Sequence, residues 1–260
     1  MRKIDRAEID NFRETALKHR ASANFFGDSE KLHAFADQGD LYIAESEAGI
    51  FVLWDAGGFF RLYYALFDTD APMPQKLLEN ALPIVAETAY RGEFFPPSAD
   101  FFARHGFLRA LTRSRMELRE LTAKQDAAAT LPEADPEAVL DLFKASFDRY
   151  TGCIPALPEL KKASGEGRVI TAAQNGGLCG ALLYEEAGNI SSLKNIAVAQ
   201  NMRGRGFGGA MLDLWARRSA LAGKSVLRLW VSDENAAAVK LYQKHNFKPD
   251  GLKSFVFVKK

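Results

Sequence analysis

Two cysteines in 260 residues, Cys153 and Cys179, exclude a disulfide framework and are too few for a cysteine metal cluster. Cys179 stands in the apolar run 178–183, where packing is its expected role. The four histidines, His19, His33, His105 and His245, lack the spacing of metal ligands, so no metal is expected. No apolar run approaches the length of a membrane span, and the first twenty residues are charged throughout where a secretory leader has an apolar core. The expected location is the cytoplasm, without a membrane partner. An excess of either charge is also missing: 34 basic and 33 acidic residues leave +1, which argues against a nucleic acid partner. Finally, no Lys-Ser or Lys-Thr pair follows the richest glycine segment, and its glycines are not spaced as in a dinucleotide fingerprint. Both observations exclude the common nucleotide-binding loops.

What is present is a chain with 47% hydrophobic and 26% charged residues, enough for two modest domains or one large one. Its most informative segment is residues 200–211, QNMRGRGFGGAM, lying between an apolar strand at 196–198 and an amphipathic helix from about Gly208 to Leu221. Gly204, Gly206, Gly208 and Gly209 remove Cβ atoms where a ligand approaches the backbone, and successive N–H groups can then turn toward an anion. The helix dipole favours the same anion, and Arg203 and Arg205 add forked donors suited to phosphate. The competing use of such a segment is a tight strand-to-helix turn and nothing more.

The alanine-rich stretch around 121–135 separates two alternating α/β segments and is the expected linker. Beyond it, Asp135 and Pro136 can start a helix carrying Val139, Leu140, Phe143 and Phe147 at helical spacing. Runs 168–173 and 178–185 are split by Gln174-Asn175-Gly176-Gly177, a hairpin signal. In the next run, 190–198, Leu193 and Ile196 are three apart, which breaks the period of two and predicts a bulge near Lys194 and Asn195. A strand at 225–232, a helix at 235–245 and a strand at 252–258 complete this half. The first half repeats the order with strands at 41–45, 50–54 and 59–66 and a helical pattern over 76–90. His105-Gly106-Phe107 aligns with His245-Asn246-Phe247. Residues 67–75, which correspond to the glycine segment, contain no glycine, so phosphate binding is not expected there.

From Asp135 to the last residue the chain resembles the GCN5-related N-acetyltransferases, the GNAT superfamily. Arg203, Gly206 and Gly208 match the family's acyl-CoA pattern, and Asn235, Ala238, Leu241, Tyr242 and Asn246-Phe247 match its later signature. Asn246 stands where glycine is usual, and Asn tolerates the left-handed conformation that such a turn needs. The first half resembles a degenerate second copy, as in tandem GNAT proteins. The fold class this implies is α/β (α+β), with two tandem GNAT-like domains, each a mixed, mostly antiparallel sheet flanked by helices around a bulged central strand. The expected organisation is a degenerate domain over 1–122, a linker over 123–134 and an acetyltransferase domain over 135–260.

The resemblance implies acetyl-CoA, or another acyl-CoA, as co-substrate, held by Arg203, Gly204, Arg205, Gly206, Phe207, Gly208 and Gly209. Its arm would lie along Ile196, Ala197 and Val198, with a backbone N–H near Ala197 or Val198 facing the thioester carbonyl and Asn235 touching the arm. Tyr242 is the implied general acid for the leaving sulfur. Glu185 and Glu186 are candidates for the base, and strand alternation allows at most one of them to serve; both can equally be solvated residues at a hairpin end. Ser191, Ser192 and Asn195 are candidates to orient a water or hold the acceptor. Phe147, Asp148, Arg149 and Tyr150 form a loop of mixed aromatic and charged character suited to acceptor recognition. The implied activity is N-acyl transfer to a small-molecule or protein amine by direct attack; the alternative is a non-catalytic acyl-CoA sensor. The chain is expected to be a monomer or a homodimer.

Overall fold

The computed structural model describes residues 1–18, 22–24, 29–92, 96–119, 121 and 135–260. The expected linker 123–134 lies outside these residues. In the first part of the chain the elements are β1 (Arg2–Lys3), α1 (Arg6–Lys18), β2 (Ser22–Ala23), α2 (Ser29–Gln38), β3 (Leu41–Ser46), β4 (Gly49–Asp55) and β5 (Phe60–Leu66). There follow α3 (Gln75–Leu78), β6 (Ile84–Arg91), α4 (Pro97–Arg104) and β7 (Leu108–Leu118). The second part contains α5 (Pro136–Ser146), α6 (Leu157–Gly165), β8 (Val169–Gln174), β9 (Gly177–Ala187) and β10 (Ile190–Val198). It closes with α7 (Phe207–Leu221), β11 (Val226–Ser232), α8 (Ala236–Lys244) and β12 (Lys248–Lys259).

Two compact units result, Met1–Thr112 with Leu252–Lys260, and Arg113–Gly251. Their division falls inside β7 and β12 rather than at the linker, because residues 113–118 of β7 pair with β11 while residues 252–259 of β12 pair with β6.

In the first unit the strands run β1-β3-β4-β5-β6-β12, antiparallel except for β5 against β6. Alternation along the strands builds two cores. Phe51, Leu53, Leu62 and Tyr64 pack with Phe101, Phe102 and Phe107, while Val52, Tyr63 and Ala65 pack with Ile9, Phe12 and Leu32 of the two N-terminal helices. The helical pattern over 76–90 is not a helix: α3 stops after four residues, and β6 takes the rest. Pro83 has no N–H for a helix and biases the residue before it toward extended backbone. Asn80 accepts the Leu82 N–H at 3.0 Å, which turns the chain into β6.

The second unit orders its strands β7-β11-β10-β9-β8, with only β10 and β11 parallel. One face carries α7 and α8 on Leu182, Tyr184, Leu193, Leu227 and Leu229; the other carries α5 and α6 on Ala181, Leu183 and Ala197. Asp135 caps α5 by accepting the Glu137 N–H at 3.2 Å, ahead of Pro136. Asn175 and Gly176 take φ of 52° and 78° at the expected hairpin. Asn246 adopts φ 65° where the first unit has Gly106 at 80°, so asparagine does keep the turn.

Candidate functional site

The sheet of the second unit opens at β10. Against β9 this strand pairs along its length, with a register shift between Leu193 and Asn195 that makes Lys194 the extra residue of a bulge. Against β11 it pairs only through residues 190–192, opposite 226–228. Beyond Ser192 the parallel strands part. The Ala199 N–H donates to the Cys179 carbonyl at 2.8 Å, so alternation turns Ala197 toward β9 as well. Ile196 and Val198 therefore present their backbone groups at the opened edge. In agreement, the Val198 carbonyl accepts Arg203 Nε at 3.2 Å.

This edge leads into a short 3₁₀ turn, Gln200–Met202, and then the glycine segment. Gly204 and Gly206 have φ of 77° and 87°, and a Cβ on either would meet nothing within 4 Å. Backbone conformation, rather than crowding, demands glycine there, and open space remains in front of the helix. Gly206 is the N-cap of α7, a 15-residue helix with no acidic residue in its first turn, so its first N–H groups are offered to an anion. Gly208 and Gly209 also have a packing part, for which the sequence gives no signal. A Cβ on Gly208 would lie 3.3 Å from Leu241 and one on Gly209 3.3 Å from the His245 ring, so these two glycines let α7 approach the α8 region. Phe207 packs against the same core. Arg205 donates to Gln174 Oε1 at 3.4 Å.

Tyr242 is 4% exposed and packs within the α7/α8 core against Phe247, with ring centroids 6.1 Å apart. Burial raises its hydroxyl well above the usual phenol range, and it stays protonated at neutral pH. Burial likewise raises Tyr64 in the first unit. A proton held more tightly in the fold than in the unfolded chain stabilises fully below the unfolded pKa and loses that contribution as pH rises. Stability measured by denaturant titration is therefore expected to fall above about pH 10, and less steeply in Tyr242→Phe.

Asn235 is the N-cap of α8, its Oδ1 accepting the Ala238 N–H at 3.0 Å. Glu185 pairs with Lys194 at 3.2 Å and Glu186 with Lys224 at 3.5 Å. Alternation assigns Glu185 to the face of Ala181 and Leu183 under α5, and Glu186 to the α7 face. Glu185, Glu186 and Ser192 line an open recess of about 410 Å³ together with Glu166 and Arg168. Ser191 is committed to the core, where its Oγ accepts Trp215 Nε1–H at 2.8 Å.

On the α5 face, Asn195 is 3% exposed, and its Nδ2 donates to the Gly152 carbonyl at 3.0 Å. Arg113 of β7 donates to the neighbouring Thr151 carbonyl. The loop after α5 is thereby tied to two strands that flank β11, a pair of contacts for which the sequence carries no signal. Within the loop, Asp148 Oδ1 accepts the N–H groups of Tyr150 and Thr151, both at 3.0 Å, and Arg149 stacks 5.3 Å from the Tyr150 ring centroid. Phe147 closes α5 and packs on Phe143. Beneath lies a charged floor on β7 and β11. Burial works against the charge of Glu117 there, but hydrogen bonds from Arg228 and Arg119 hold its carboxyl below the usual range. Arg115 bonds Asp250 and lies 5.9 Å from the Trp230 ring centroid.

Residues 165–249 match the family model described as acetyltransferase (GNAT) domain, a span that contains the opened strand pair, the glycine turn and Tyr242. Over this span the chain is similar to a GNAT domain. GNAT proteins are acyltransferases that generally draw on acetyl-CoA. Among solved structures, a GCN5-related N-acetyltransferase from Sphaerobacter thermophilus is similar at TM-score 0.58 and 14% identity, over 89% of this chain and 85% of that one. A GNAT-family acetyltransferase from Novosphingobium aromaticivorans gives 0.55 and 16%, over 86% and 93%. A tandem GNAT protein from the clavulanic acid biosynthesis pathway gives 0.53 and 14%, over 81% and 78%. No curated protein matches the sequence. Among the described residues, no group of His, Cys, Asp and Glu could hold a metal, and no helix is long and apolar enough to cross a membrane.

The first unit repeats the short parallel pairing of the second and fills the gap beyond it with its own chain. Strands β5 and β6 pair in parallel only at 60–62 against 84–86, the same three rows as β10 and β11. Beyond these rows β2 pairs with β5 at Ala65 and Leu66. Asn24 then bridges the opening, its Nδ2 donating to Leu62 O at 2.9 Å and Glu87 O at 2.8 Å and its Oδ1 accepting Tyr64 N–H at 2.8 Å. No register shift interrupts β4 and β5. Where the second unit has its glycine turn, the first has the four-residue α3, and His105 Nε2 accepts the Met73 N–H at 3.1 Å. Asn24→Ala removes three hydrogen bonds at once and is expected to lower stability by about 2–3 kcal/mol in denaturant titration.

Proposed function

We propose that the protein is an acetyl-CoA-dependent N-acyltransferase that transfers an acyl group to a primary amine by direct attack, with one active site, in the second unit. The observation that carries this reading is the parting of β10 from β11 after Ser192, which runs without interruption into an open glycine turn and the N-terminus of a long helix. The residues fit an acyl-CoA. The turn and the first N–H groups of α7 would hold the diphosphate, assisted by Arg203 and Arg205. Ile196 and Val198 would pair with the amide-bearing arm through the backbone groups at the opened edge. Asn235 has its Nδ2 left for the same arm once Oδ1 serves as the cap.

Bound acetyl-CoA supplies an acyl thioester. The N–H of Val198 or Ile196, rather than that of Ala197, serves as donor toward the thioester carbonyl, since Ala197 faces β9. Tyr242 holds the proton destined for the sulfur, and its burial keeps that proton in place at neutral pH. Glu185, on the α5 face with Asn195 and the loop 148–152, is better placed than Glu186 to draw a proton from the amine, directly or through water. Phe147, Tyr150 and Ser192 surround the acceptor. The amine-bearing acceptor is a small molecule or a protein.

The test is thiol release from acetyl-CoA with free amino acids, polyamines, aminosugars and peptides with free N-termini. Turnover on any of these supports the enzyme. Tight binding without turnover on all of them supports the sensor instead.

A further inference from the structure

We infer that Asn195 is a substrate-binding residue whose side-chain oxygen accepts an N–H from the attacking amine. This rests on the function proposed above and extends it to the acceptor. The amide orientation is set by the Gly152 carbonyl, which can only take the Nδ2–H side. The other limb, Oδ1, is buried and has no hydrogen-bond partner among the described residues. A buried acceptor left unpaired is costly, and a ligand N–H that completes it removes that cost. Asn195 is also the first residue after the bulge on β10, beside the rows where pairing with β11 has stopped.

Extended along Val198 and Ile196 from the glycine turn, the acyl-CoA arm ends where the strands converge, next to Asn195. On that face the loop 148–152 is tied over the opening through Gly152 and Thr151. An amine entering beneath the loop meets Oδ1 as an acceptor that can hold one N–H while the nitrogen lone pair faces the thioester. A neutral amide suits this task better than a carboxylate, because it positions the amine without stabilising the protonated ammonium, which cannot attack.

The experiment uses the full chain saturated with CoA and measures amine affinity by calorimetry, followed by kcat and KM with acetyl-CoA. Asn195→Ala is expected to weaken amine binding about tenfold, the loss of one buried hydrogen bond. Asn195→Asp, which keeps the oxygen and loses the Gly152 bond, is expected to retain amine binding while kcat falls and the rate optimum moves to higher pH. Acetyl-CoA affinity should stay within about twofold in both, since its diphosphate is held at the glycine turn. Equal weakening of amine binding in Asn195→Ala, Asn195→Asp and Arg113→Ala would show that Asn195 only tethers the loop, and would overturn the inference. Wild-type protein that binds acetyl-CoA but none of the amines overturns it too, leaving the sensor. Wild-type protein that binds no acetyl-CoA overturns the parent reading itself.

Discussion

Gly206→Asp is expected to abolish acetyl-CoA binding while leaving the protein folded. The substitution separates the two outcomes because of where Gly206 stands. A Cβ there meets nothing within 4 Å, so the cost is the backbone strain of a residue other than glycine at φ 87°, about 1–2 kcal/mol. The added carboxylate is not placed to cap α7, because a capping side chain needs extended backbone and position 206 is left-handed. The same carboxylate faces the space offered to the diphosphate. Two unit charges 4 Å apart near a protein surface repel by about 4 kcal/mol, close to a thousandfold in affinity. Thermal melting should therefore move little, and calorimetry should record no binding at concentrations that saturate the wild type. Retained affinity in Gly206→Asp would place the anion site elsewhere.

Tyr242→Phe is expected to lower kcat by about a hundredfold, toward the lower end of what a positioned acid contributes, because a thiolate leaves more readily than an amide nitrogen. The ring packs against Phe247 within a well-filled core, and Phe keeps that contact, so acetyl-CoA affinity and folding should both persist. Burial raises the Tyr242 pKa, so the wild-type rate should show no loss of the acid form below about pH 10. A second variant, Glu185→Gln, should lower kcat while leaving acetyl-CoA affinity unchanged if Glu185 draws the amine proton. Unchanged kcat in Tyr242→Phe would reassign the tyrosine to packing.

Much of the site is local in sequence, and that much was legible. The interval from Leu193 to Ile196 announced the bulge, the glycines announced the turn, and Asn235 three residues before Ala238 is a cap that short-range spacing reveals. What stayed hidden depends on contacts between distant residues. Ser191 looked available until Trp215, on another element, claimed its hydroxyl. Asn24 gives no sign in sequence of bridging Leu62 and Glu87, although this contact explains why the first unit has no room for a ligand arm. The helical spacing over 76–90 misled because periodicity does not weigh Pro83 or the strands waiting on either side of β6. The allocation of residues 113–118 and 252–259 follows from which strands they pair with, and no linear pattern encodes that choice. Even the glycines divide by tertiary contact, with Gly204 and Gly206 answering to backbone conformation and Gly208 and Gly209 to Leu241 and His245.

The central claim is that a chain with two openings of the same kind has one acyl-CoA site, because Asn24 and β2 occupy the first and the glycine turn serves the second. Calorimetric titration of the full-length protein with acetyl-CoA tests this most directly. The predicted result is one molecule bound per chain, lost in Gly206→Asp and retained in Asn24→Ala; two molecules per chain, or one that survives Gly206→Asp, would contradict it.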